Sequence, residues 1–223
     1  HETYFQTVFR RFKRHKLGFV SLIFLAVMLV LIFLVPLFSP YDPNGLTSAF
    51  SAPPSAEHLL GTDQVGRDML TRLFVGARVS LFVAFMATAI ATAVGIVLGL
   101  VSGYFGGWID IVVMRVTDMV MSFPYLLLVL VAAAVFKPGM WNIILILGFV
   151  DWPGMARLVR GNVMSLRQAN YVQGSRVAGM PTRYILFREI LPNTMAPVLV
   201  NATSVMALTM LDEAALSFLG MGV

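Results

Sequence analysis

The chain alternates long apolar runs with short polar segments, and the run lengths predict helices that cross a membrane. Leu17 to Phe38 holds 22 residues without a charge, enough at about 1.5 Å per residue to span a hydrocarbon core of roughly 30 Å. Ser80 to Ser102 is a second uncharged run. Ile111 to Phe136 is the third and carries Arg115, Asp118 and Pro124, while Met140 to about Met164 is interrupted by Asp151 and Pro153. Pro192 to Leu211 is the fifth. The pattern predicts an all-α, polytopic helical bundle with five spans.

The segments between the runs set the organisation. Residues 1–38 form a basic N-terminus and the first span. Residues 39–78 form a loop, with Pro40, Pro43, Pro53 and Pro54 among turn formers, and then an amphipathic helix over Thr62 to Arg78. Thr62 can cap that helix, Asp63–Arg67 and Asp68–Arg72 pair at i,i+4, and Val65, Met69 and Leu73 share a side. Such a helix lies at the membrane interface. Residues 79–223 form the core of the bundle, with a polar insert over 165–191.

Composition agrees that lipid is the solvent: 58% of residues are hydrophobic and 12% charged, with a mean hydropathy of +0.84. Zero Cys excludes disulfides and thiolate chemistry. The net charge of +5 does not point to nucleic acid, because the basic residues collect beside the apolar runs. The first run is too long for a cleaved signal peptide and lacks its small-residue cleavage site. With the N-terminus in the cytoplasm, the inner segments hold Arg10, Arg11, Lys13, Arg14, Lys16, Arg157, Arg160, Arg167, Arg176, Arg183 and Arg188, and the outer ones Arg67, Arg72, Arg78 and Lys137. That excess of inner cations fixes the orientation and puts 165–191 on the cytoplasmic side.

Ala87, Ala91, Gly95, Gly99 and Gly103 recur every four residues along the second run, a small-residue stripe that lets a second helix approach closely. The insert reads as helix, break, helix: Ser165–Ala178, then Gly179-Met180-Pro181, then Thr182–Leu191. Tyr171, Val172, Val177 and Met180 give it apolar tips suited to a partner's groove. Asp118 and Asp151 are charges within spans, which face a cavity or a partner because lipid exposure is costly. Asp118 is spaced to pair with Arg115, whereas Asp151 has no partner on its own helix. Met121 and Ser122, with Met155, Met206 and Met210, are further candidates for an adaptable lining or for ordinary packing. No metal site emerges from the scattered His1, His15 and His58, and no catalytic constellation is visible. Asn201-Ala202-Thr203 fits a glycosylation acceptor but falls within the fifth run.

Gln173-Gly174-Ser175, Gly179 and Ile190-Leu191-Pro192 resemble the EAA loop of bacterial ABC-importer permeases, with the usual Glu-Ala-Ala triplet replaced. Leu60-Gly61-Thr62-Asp63-Gln64-Val65-Gly66-Arg67-Asp68 through Gly76-Ala77-Arg78-Val79-Ser80-Leu81 is similar to the C-type permease subunit of dipeptide, oligopeptide and nickel importers. So are Ser102-Gly103-Tyr104-Phe105-Gly106-Gly107, Asp118 with Ser122-Phe123-Pro124, Ala156-Arg157-Leu158-Val159-Arg160-Gly161, and Ala214-Ala215-Leu216-Ser217-Phe218-Leu219-Gly220. The resemblance implies a type I ABC-importer permease in the prokaryotic cytoplasmic membrane, with a sixth span expected beyond residue 223. It implies three kinds of partner besides lipid: a homologous B-type permease, two ATP-binding cassette subunits and an extracytoplasmic substrate-binding protein. ATP and Mg would sit on the cassette subunits, since no G-x-x-x-x-G-K-[ST] occurs here. Tyr171, Gln173, Gly174, Ser175, Gly179, Met180, Thr182 and Arg183 would form the coupling loop, with Gly179 as hinge. An ion-gradient-driven transporter and an intramembrane enzyme are the rival classes. The first leaves the bent insert unexplained, and the second lacks a reactive cluster.

Overall fold

The computed structural model describes residue 12, residues 14–136 and residues 139–222. Arg10, Arg11, Lys13, Lys137 and His1, on which parts of the topology and metal readings rest, lie outside the described residues. Every regular element among the described residues is helical. Four helices are long and apolar enough to cross a membrane, and five spans result when one bent pair counts as a single crossing. This matches the expected bundle.

The chain forms two compact units, residues 1–79 and 80–223. The first opens with α1 (Lys16–Phe38), capped by His15, whose Nδ1 accepts the Gly18 N–H at 3.1 Å. No residue of α1 is buried, as befits a helix whose apolar side chains face lipid. Pro36 lies inside it. A proline has no N–H to give the carbonyl four residues back, here that of Ile32. Arg78 Nη2 donates to the Ile32 and Phe33 carbonyls at 3.5 and 3.3 Å, with its guanidinium 5.2 Å from the Phe33 ring centroid.

Residues 39–68 are an ordered knot. Gly61 (φ 75) and Gly66 (φ 84) take left-handed backbone, and a Cβ on either would collide with the Ala52 or Thr47 carbonyl oxygen. Thr62 and Asp68 pair as an isolated bridge. Asp68 is buried, accepts both the Thr71 N–H (2.8 Å) and hydroxyl (2.7 Å), and lies 3.0 Å from His58 Nδ1. Burial raises the Asp68 pKa, but the hydrogen bonds from Thr71 and the neighbouring His58 outweigh it and hold the carboxyl below its ordinary range. This arrangement corrects the amphipathic helix expected over Thr62 to Arg78. Asp68, not Thr62, caps the helix, and α2 (Met69–Phe105) runs unbroken into the second span. Asp63 is a turn residue that accepts the Val65 and Arg67 N–H groups.

In the second unit, α2 packs against α5 (Met140–Val150) and α6 (Trp152–Leu166). A Cβ on Gly95 would lie 2.5 Å from Met155 Cβ, one on Gly99 2.6 Å from Val159 Cβ, and one on Gly103 2.9 Å from the Arg160 carbonyl. Ala87 and Ala91 are buried on the same stripe, and Gly148 of α5 meets Ile90. Between α2 and α5 the chain makes α3 (Gly107–Met121) and α4 (Tyr125–Val135), bent by 85° at the Ser122–Pro124 break. The third apolar run is therefore two helices, because Pro124 cannot continue α3. After α6 come α7 (Asn170–Val177) and α8 (Thr182–Phe218), the latter including a π-helical stretch at Ile185–Ile190. Thr182–Leu191 is thus not a second helix of the insert but the beginning of the last span.

Candidate functional site

Two regions bring chemistry-bearing residues together. The first is the insert. α7 closes on Gly179 (φ 74): the Gly179 N–H reaches the Arg176 carbonyl and the Met180 N–H the Ser175 carbonyl, each at 3.0 Å. These two bonds make a Schellman stop, in which glycine takes the left-handed position without steric cost. Val177 is 89% exposed, and Tyr171 and Met180 are close to half exposed. Gln173, Gly174, Gly179, Thr182 and Arg183 are exposed too, while Ser175 is half-buried. Val172, expected among the exposed tips, is fully buried. It belongs to a core cluster with Leu100, Tyr104, Val159, Val163, Ile185 and Val198, so α7 is anchored on one side and open on the other.

Polar contacts add to that anchorage. Arg167 Nη1 donates to the Tyr104 carbonyl at 2.7 Å, the Arg176 guanidinium sits 5.0 Å from the Tyr104 ring centroid, and the Ser175 hydroxyl bonds Glu189. Gln173 Nε2 donates to the Arg167 carbonyl at 2.8 Å. Such fastening ties the buried side of α7 to the bundle and leaves Val177 projecting.

The second region lies where helices break. Asp151 joins α5 to α6, with Pro153 in the first turn of α6. Its Oδ2 is 3.4 Å from both the Tyr125 hydroxyl at the start of α4 and the Thr209 hydroxyl of α8. Asp212 of α8 interacts with the same Tyr125. The two breaks and α8 thus bring two carboxylates together with the Tyr125 and Thr209 hydroxyls. Sequence reasoning found Asp151 but missed Asp212, Tyr125 and Glu213. The Asp212-Glu213 dipeptide directly after an uncharged run was the available signal for the acidic pair. Glu213 is buried, accepts from Ser80 (2.6 Å) and Ser217 (2.8 Å), and so ties the end of α8 to α2.

Asp118 does not pair with Arg115 as its spacing suggested. It pairs with Arg157 of α6 at 2.5 Å, and both side chains are about half exposed. A second rung joins the same helices: Arg160 Nε and Nη2 donate to the two oxygens of Asp110 at 2.5 and 2.6 Å. Met121 and Ser122 are exposed beside the α3–α4 break, where the Ser122 hydroxyl donates to the Met119 carbonyl at 2.7 Å. Met155 is buried against the glycine stripe, so it packs rather than lines. Among the described residues, no group of His, Cys, Asp and Glu is arranged to hold a metal ion.

The family described as binding-protein-dependent transport system inner membrane component matches residues 95–223, and the N-terminal transmembrane domain of oligopeptide transport permease C matches residues 3–54. The chain is 40% identical over 223 residues to the dipeptide transport system permease protein DppC of Bacillus subtilis, covering 99% of this chain and 69% of that protein. It is 38% identical to the oligopeptide transport system permease protein OppC of the same organism, covering 96% and 70%. It is 44% identical to the Escherichia coli DppC, covering 97% and 75%. With several apolar spans, a broken helix pair and a projecting α7, this chain belongs to the family of multi-pass inner-membrane components of binding-protein-dependent transport systems.

Proposed function

We propose that the chain forms half of a peptide pathway, paired with a homologous permease, driven by two ATP-binding cassette subunits and supplied by a substrate-binding protein. ATP and Mg are held by the cassette subunits, and the N-terminus and α7 face the cytoplasm. The observation that carries this reading is the one-sided anchorage of α7: Val172 locked in the core, Val177 projecting almost fully exposed. An apolar tip on an anchored mount fits a groove on a second protein, and a mount tied to two spans turns that contact into a change of the pathway. Dipeptide and oligopeptide permeases among the relatives support peptides as cargo. Asp151, Asp212 and Tyr125 supply anionic and hydroxyl groups suited to a peptide's ammonium and amide ends.

Co-purification of the assembled transporter tests both parts. Val177→Asp puts a charge at the centre of the proposed contact and is expected to lower the bound cassette subunits roughly tenfold or more; full retention would remove α7 from that interface. Asp151→Asn is expected to leave assembly intact and cut uptake of a labelled dipeptide at least about fivefold. If uptake and its preference among dipeptides both stayed the same, Asp151 would lie off the pathway.

A further inference from the structure

The links from α7 to the rest of the bundle go to two different spans. Arg176 reaches Tyr104, near the end of α2, whereas Ser175 reaches Glu189, near the start of α8. The second connection ends on an unusual piece of backbone. Ile185–Ile190 is π-helical, and the Leu191 N–H that follows reaches the Leu186 carbonyl, five residues back. Pro192 explains the widening: in a tight α-helical turn its ring would press on the carbonyl four residues earlier and leave that oxygen without its N–H. Asn193 Nδ2 then donates to the Glu189 carbonyl at 2.6 Å, a side-chain bond at the loosened turn. A π-turn can pass to α-helical pairing by shifting one hydrogen bond per residue, so it is a natural joint between two registers.

The Glu189 carboxylate sits on this joint with its two oxygens in unequal positions. One holds the Ser175 hydroxyl; the other, Oε2, is buried with no donor among the described residues. A buried acceptor without a donor is destabilising.

We propose that Glu189 is a positioning residue for energy coupling, and that its bond to Ser175 is the strut through which displacement of α7 resets the π-helical turn at the start of α8. The proposal rests on α7 being the lever of the preceding reading. Arg176 over the Tyr104 ring holds α7 to α2, and the Ser175–Glu189 bond together with Val172 against Ile185 holds it to α8. Ser175 and Glu189 act through α8.

The absence of cysteine allows spin labels at Phe105→Cys and Tyr184→Cys, both exposed and near the ends of α2 and α8 that meet α7. The complete transporter, with its cassette subunits and binding protein, is reconstituted in lipid nanodiscs, and the label separation is measured with and without ATP. The parent is expected to show an ATP-dependent change. Ser175→Ala and Glu189→Ala should each abolish most of it and lower the stimulation of ATP hydrolysis by the binding protein roughly tenfold, the scale of losing a hydrogen bond to a charged group. The double variant should be no worse than either single one, because both remove the same bond. Ser175→Thr, which keeps the hydroxyl, and Glu189→Gln, which keeps an accepting oxygen, should restore both readouts. A residue that merely stabilised the fold would lower the yield of complex without this pattern of rescue. An unaltered distance change in Ser175→Ala overturns the strut while Val177→Asp still releases the cassette subunits. Should Val177→Asp release nothing, the lever itself fails, and the strut with it.

Discussion

Gly99→Leu is expected to yield no folded protein in the membrane, and Gly99→Ala a protein destabilised by about 1–3 kcal/mol, the usual cost of overpacking a tight contact. The reason is distance. A Cβ at position 99 would lie 2.6 Å from Val159 Cβ and 2.7 Å from the Ala156 carbonyl oxygen, and the latter cannot rotate away because it is backbone. Alanine gains about 1 kcal/mol of helix propensity over glycine, which is too little to reverse the sign. Gly161→Ala provides the control, since its added Cβ meets nothing within 4 Å. Thermal unfolding of the purified complex should show a clear loss for Gly99→Ala and none for Gly161→Ala. Equal behaviour of the two would mean that α2 and α6 do not touch along the stripe.

Arg160→Ala is the second large effect. Arg160 grips both oxygens of Asp110, and the two side chains are only 29% and 18% exposed. Removing the cation leaves a half-buried carboxylate in the first turn of α3 without its partner, at a cost of about 3 kcal/mol, the lower end of the range for broken buried pairs. Asp110→Asn combined with Arg160→Gln keeps a neutral hydrogen bond and should recover more than half of the loss. Arg157→Ala, which breaks the more exposed pair with Asp118, should cost about 1 kcal/mol or less. The checking measurement is the unfolding midpoint of the four proteins in one lipid mixture. If the exposed pair proved the costlier one, burial would not be what gives these rungs their strength.

The number of spans, the small-residue stripe and the glycine stop of α7 were legible in the sequence because each follows from local pattern: run length, period and one left-handed residue. What was not legible required knowledge of neighbours. Asp118 invited pairing with Arg115 because sequence shows only contacts three or four residues away, whereas its partner Arg157 lies on another helix. Val172 read as an exposed apolar tip because nothing in the chain says which side of α7 faces the core. The start of α2 was misplaced by seven residues, between Thr62 and Met69, because both Thr62 and Asp68 can cap and only the bridge between them shows which one does. At the candidate site Asp151 announced itself as a lone charge in an apolar run. Asp212, at the edge of its run, gave no such contrast.

Pro36 has a consequence for how α1 tolerates change. With none of its side chains buried, α1 meets Arg78 through the Ile32 carbonyl that the imino acid leaves vacant, the Phe33 carbonyl and the Phe33 ring. Its leucines, valines and isoleucines can therefore be shuffled among themselves, since lipid tells them apart poorly. Pro36 and Arg78, by contrast, form a matched pair: without Arg78, the Ile32 oxygen that Pro36 leaves vacant is unquenched beside the hydrocarbon.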